Sequence, residues 1–174
     1  MFPLTVSELE QVSELEQIDG VSASRTAALP NSLQAALTID FQQLKPLELV
    51  THQFESRGLI FEDAIALLPS NPRFIPHLGQ QVLMPAHPEN TLAVEIQPMV
   101  QRLSLWGRGT RPIVVQTWDA AGNLIAEETS DLAPLAPAHD TVLLPCQILK
   151  LSTAGVHRIV LSSAAPFTLE GIAL

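Results

Sequence analysis

From residue 37 onward, hydrophobic and polar positions alternate in short runs closed by Gly, Pro, Asn and Asp. In residues 91–97, Leu92, Val94 and Ile96 share one face while Ala93, Glu95 and Gln97 share the other; in 99–106, Leu103 and Leu105 alternate with Arg102 and Ser104. A period of two marks a half-buried strand. The same reading places strands at 37–41, 58–61, 64–68, 81–84, 112–118, 123–128, 141–144, 147–152, 156–162 and 167–173, with 47–54 a short strand or a connecting turn. Pro69-Ser70-Asn71-Pro72 is a strong turn signal, and Asp119-Ala120-Ala121-Gly122 reads as a hairpin with glycine in the left-handed position. Strands closed at this spacing, with no βαβ rhythm, predict an all-β fold: a two-sheet antiparallel, jelly-roll-like sandwich of about nine strands.

Residues 1–36 follow another pattern. VSELEQ occurs twice in tandem, at 6–11 and 12–17, and Leu9, Val12, Leu15 and Ile18 recur every three residues before Gly20. Glu, Leu and Gln favour a helix and glycine ends one, so a short helical extension precedes the sandwich of 37–174. A helix this short needs a surface to dock on. Its apolar stripe is the candidate contact with a protein partner, a second copy, or its own sandwich.

Composition sharpens this. Hydrophobic residues make up 47% of the 174-residue chain and charged residues 16%, so either the core is large or part of the surface is apolar and meets a partner. The net charge of −9, with nine scattered Lys and Arg, excludes a phosphate-binding footprint and hence nucleic acid. The long uncharged run 26–39 is broken by Pro30, Asn31, Ser32 and Gln34, so no membrane span is expected. The first residues lack the basic start and apolar stretch of a signal peptide, which predicts a cytosolic protein, or an extracellular one if a signal has been removed.

Several stretches resemble the jelly rolls of bacterial surface-sorted (PEP-CTERM type) and galactose-binding-like sandwich proteins. These are Ile39-Asp40-Phe41 with 53–61, the turn at 69–72 leading to Val82-Leu83, residues 98–106 with 114–122, and the pair 155–159 and 167–172. The resemblance implies a carbohydrate-binding module as the alternative to a protein-docking subunit. It also implies a structural calcium between the first and last strands, held by Asp40 and Glu170, with Glu55 as a further ligand. The glycan site would use Trp106 and Trp118 with Arg108, Arg111, Gln116 and Asp119. Within it, 106–111 (Trp-Gly-Arg-Gly-Thr-Arg) reads as a surface loop, because its glycines free the backbone and its arginines offer forked donors.

Catalysis has little to rest on. The five histidines lie far apart, without metal-ligand spacing. Cys146 follows Pro145 in an apolar segment and reads as an inert thiol. Neither a nucleophile elbow nor a phosphate loop occurs, and the adjacent acids Glu62-Asp63 and Glu127-Glu128 point to opposite faces of a strand. The expectation is a non-enzymatic binding or structural domain.

Overall fold

The computed structural model describes residues 38–39, 41–76, 81–131 and 143–174. Among them are twelve strands in two antiparallel sheets, a β-sandwich as expected but with more strands than the nine or so anticipated. Sheet A contains β1 (Thr38–Ile39), β2 (Leu49–Val50), β4 (Ala64–Leu67), β5 (Val82–Pro85), β7 (Arg102–Gly109), β10 (Gln147–Ser152) and β12 (Phe167–Ala173). Its order is β10-β7-β12-β5-β4-β2, with β1 also on β12. Sheet B contains β3 (Leu59–Glu62), β6 (Thr91–Ile96), β8 (Ile113–Trp118), β9 (Leu124–Thr129) and β11 (Arg158–Ser163), in the order β3-β6-β11-β8-β9.

The inward positions close the core: Leu59, Phe61, Leu92, Val94, Ile159, Leu161 and Val115 from sheet B meet Leu103, Leu105, Phe167, Leu169 and Ile172 from sheet A, all buried. At one side Phe41, Phe54 and Phe61 stack edge to face, with centroids 5.8 and 5.9 Å apart. β3 crosses into β4 at Asp63, whose φ of 57° turns the corner between sheets. The extra residue shifts the phase of alternation, so Phe61 and Ala64 both face inward. Gly58 ends a one-turn 3-10 helix at φ 83°, packed so closely that a Cβ would lie 2.8 Å from Val100.

The edges of most strands lie within a few residues of their sequence positions. Two differ. Residues 143–146 are not strand but a strap across the outside of sheet A, because the Leu144 N–H donates to the Arg73 carbonyl instead of to a neighbouring strand. The expected loop at 106–111 is mostly strand: β7 runs on through Gly109, paired with Gln147 and Ile148 of β10 and with 167–171 of β12. The glycines serve packing here. A Cβ on Gly107 would meet Ile113 Cδ1 at 2.8 Å and the Thr168 carbonyl at 2.9 Å. Only Thr110 and Arg111 turn the chain, and Gln147 ties that turn down, its Nε2 donating to the Gly109 and Arg111 carbonyls while its Oε1 accepts from the Ile113 N–H. The proposed extension, with Leu9, Val12, Leu15 and Ile18, lies outside the described residues, as does Asp40.

Candidate functional site

Side chains on a strand alternate between faces, and β4 uses that alternation in an unusual sense. Its small residues, Ala64 and Ala66, are the buried ones; its large residues, Ile65 and Leu67, point out of the sandwich. The neighbours agree. Leu49 of β2 pairs with Ile65, Ile65 with Met84 of β5, and Leu67 with Val82. The outward positions of these three strands therefore carry Leu, Ile, Leu, Val and Met and no charge. Leu49 is 63% exposed, and Leu47, Leu68 and Ile75 stand out at the margins.

Towards the centre of sheet A the same outer surface becomes polar and covered. Arg108 of β7 lies opposite Thr168 of β12. The register of β12 shifts between Leu169, paired with Gly107, and Gly171, paired with Trp106, leaving Glu170 as the extra residue of a bulge. Bulges re-aim side chains, and this one places the Glu170 carboxylate against Arg108 Nε. Arg108 Nη1 donates to the Leu144 carbonyl of the strap. Both members of the ion pair are 1% exposed. Cys146, half-buried beside them, has its pKa pushed up, first by burial and then by the Glu170 charge, with Arg108 opposing. That is the opposite of an activated thiol.

Between this polar centre and the apolar end lies a cavity of about 210 Å³, lined by Leu67, Pro69, Phe74, Met84, Pro166 and Thr168 together with Ser70 and Asn71. Thr168 is 1% exposed, and its hydroxyl has no hydrogen-bond partner. A wider groove of about 1180 Å³ runs past Arg102, Lys150 and His157, and none of its lining residues carries a buried unpartnered side-chain atom.

The sequence-predicted glycan residues do not converge. Arg108 is buried in its ion pair, which removes it from the solvent-facing role the loop reading gave it. Trp106 pairs with Ile148 on sheet A, and Arg111 is exposed at the turn beyond β7. Trp118 belongs to sheet B. There it borders a cleft of about 420 Å³ with Glu95, Asp119, His157 and Arg158, and its Nε1 has no partner. Of the calcium residues, Glu170 is the partner of Arg108, and Glu55 is an exposed residue hydrogen-bonded to His52. Among the described residues no group of three or more His, Cys, Asp or Glu stands together.

Sequence reasoning missed Thr168, Leu49, Ile65 and Met84. The Ala-Ile-Ala-Leu run of 64–67 contained the signal, since alternating small and large apolar residues predict a strand apolar on both sides.

No family model matches the chain, and no curated protein matches it. Among solved structures it is similar to the K1 cleaved adhesin domain of Lys-gingipain from Porphyromonas gingivalis W83, at 10% identity and a TM-score of 0.45, over 78% of this chain and 95% of that one. It is also similar to the enzymatically active domain of bacteriophage CBA120 tailspike protein 4, at 11% identity and a TM-score of 0.34, over 75% of this chain and 21% of that one. Likenesses this distant say nothing about ligands. No helix among the described residues is long and apolar enough to cross a membrane.

Proposed function

We propose that this sandwich is a non-catalytic interaction subunit that binds a protein partner through the apolar outer face of sheet A at β2, β4 and β5. The observation that carries the reading is the inversion on β4: isoleucine and leucine turned outward over alanines turned inward. A face left to water gains nothing from Leu49, Ile65, Leu67 and Met84, whereas a partner covering it gains roughly 25 cal/mol for each Å² of apolar surface removed from water. The VSELEQ segment, with Leu9, Val12, Leu15 and Ile18, is a second contact in this proposal.

The test is the double substitution Leu49→Glu and Ile65→Glu, which leaves the core untouched. In affinity capture from lysate of the source organism, the stoichiometric partner is lost from this variant and retained by Glu62→Gln on sheet B. Retention by the first variant overturns the assignment of the face. Deleting residues 1–30 separately reports what the extension adds.

A second reading, a carbohydrate-binding module, is supported by the Trp118 cleft, which Glu95, Asp119, His157 and Arg158 also line. Planar polar groups around an indole suit a sugar. Trp118→Ala tests it by loss of glycan-array binding with an unchanged melt.

A further inference from the structure

The cavity beside the apolar face contains a contradiction that a ligand would resolve. Its walls are mostly apolar, from Leu67, Pro69, Phe74, Met84 and Pro166, with Ser70 and Asn71 beside them. Yet it is also lined by Thr168, a 1% exposed residue whose hydroxyl has no hydrogen-bond partner. A buried hydroxyl without a partner is unfavourable, and valine would fill the same volume without that penalty.

We infer that this cavity takes the p-hydroxyphenyl ring of a tyrosine supplied by a different protein. The inference rests on the interaction reading above and names what that partner inserts. Size fits: about 210 Å³ exceeds the roughly 150 Å³ of a dry engineered cavity that binds benzene. The walls fit too, because the Met84 thioether makes favourable contacts with aromatic edges, and Phe74 and the two prolines present flat apolar surfaces. Polarity then selects among rings. A phenol both donates and accepts, so it completes Thr168 whichever way the hydroxyl turns. An aliphatic or phenyl group leaves Thr168 unpaired, and a charged group would be desolvated among walls that carry no counter-charge. Buried tyrosine anchors in such pockets are typical interface hot spots. This chain contains no tyrosine at all, so a second copy cannot supply one. The partner is a different chain.

The probe is p-cresol, the tyrosine side chain as a free molecule, with toluene as the analogue lacking the hydroxyl. Both are titrated into the full chain and followed by the methyl resonance of Met84. Wild type binds p-cresol saturably and more tightly than toluene. Thr168→Val removes that preference, weakening p-cresol up to about tenfold while leaving toluene unchanged, the scale expected for one hydrogen bond. Thr168→Ser keeps the hydroxyl and restores the preference, which guards against a packing defect in the valine variant. Absence of saturable p-cresol binding to wild type, or a preference that survives Thr168→Val, overturns the inference. Because the probe is free in solution, this outcome is independent of the Leu49→Glu and Ile65→Glu capture experiment. A pocket that binds p-cresol in a protein whose partner ignores the apolar face would sink the docking surface and leave the site.

Discussion

Among the described residues, each sheet carries an Arg–Glu pair on its outer surface, and the two could hardly sit in more different settings. On sheet B, Arg158 grips Glu62 through two hydrogen bonds of 2.7 and 2.6 Å, diagonally across β6, with the side chains 40% and 35% exposed. Around them the outward positions are mixed: Glu95 beside Ile60, and Gln116 bonded to Glu127. This is an ordinary solvated face. On sheet A, Arg108 and Glu170 are sealed under the Leu144 strap, and beyond them the surface is aliphatic. The same pair chemistry on the two faces therefore reports two environments. Sheet B meets water. Sheet A is covered in part by its own chain and, at β2–β4–β5, turns apolar side chains outward.

The largest effect expected from this contrast is on stability. Glu170→Gln leaves the Arg108 guanidinium buried without its counter-charge, and breaking a buried pair from one side costs about 3–5 kcal/mol. Glu62→Gln on sheet B removes a half-exposed pair, for which about 0–1 kcal/mol is expected after solvent screening. Urea unfolding of the two variants beside wild type decides it. Equal losses would mean that the strap does not exclude water from Arg108, and the contrast between the faces would collapse.

A smaller effect sharpens the same point through Cys146. Burial raises its pKa, and Glu170 raises it further while Arg108 pulls it down. Removing the Glu170 charge takes away one of the two effects that raise the thiol pKa and leaves Arg108 unopposed by it, so the pKa falls in Glu170→Gln while burial still holds it up. The wild-type cysteine should alkylate with iodoacetamide more slowly than free cysteine at pH 8, and the variant's rate-against-pH profile should shift to lower pH. A profile that stays in place would separate Cys146 from the ion pair.

How much of this was legible beforehand depends on which side of a strand is asked about. The inward residues were readable because one apolar face in every two is what water dictates: Leu92-Val94-Ile96 and Leu103-Leu105 are core as the alternation predicted. The hairpin at 119–122 was readable because its chemistry is local, and Gly122 takes φ 80° as a left-handed turn residue does. The end of β7 was not. Glycines at 107 and 109 look like loop residues until β12 and Ile113 are known to press against them, and that contact is more than fifty residues away along the chain for β12. Nor could Arg108 be recognised as buried, since its partner is created by a bulge that period-two reasoning cannot foresee. Ile65 and Leu67 were read simply as strand, although their outward position over buried alanines is what marks the face.

The smallest expected effect lies on the sheet B hairpin, where charge is fully solvated. Asp119 caps the turn: Oδ1 accepts from the N–H groups of Ala121 at 2.9 Å and Asn123 at 2.8 Å, and Oδ2 from Asn123 Nδ2 at 2.9 Å. These bonds favour the ionised form, chiefly those from the Asn123 side chain and backbone, and hold its pKa below the ordinary aspartate value of 3.8. A carboxyl whose folded pKa is depressed contributes stability that is complete above its unfolded value and disappears as pH falls through the folded one. Asp119→Asn retains an oxygen able to accept the turn bonds but cannot ionise. The difference in stability between wild type and variant should therefore be constant at neutral pH and shrink only below about 3.8, the unfolded value. Between the two sheets, the comparison of Glu62→Gln on sheet B with Glu170→Gln on sheet A already separates exposed from enclosed charge. If the Asp119→Asn difference instead shrank well above 3.8, the hairpin carboxylate would not be holding its turn through the charged form, and sheet B would have lost its clearest example of a solvated charge doing local structural work.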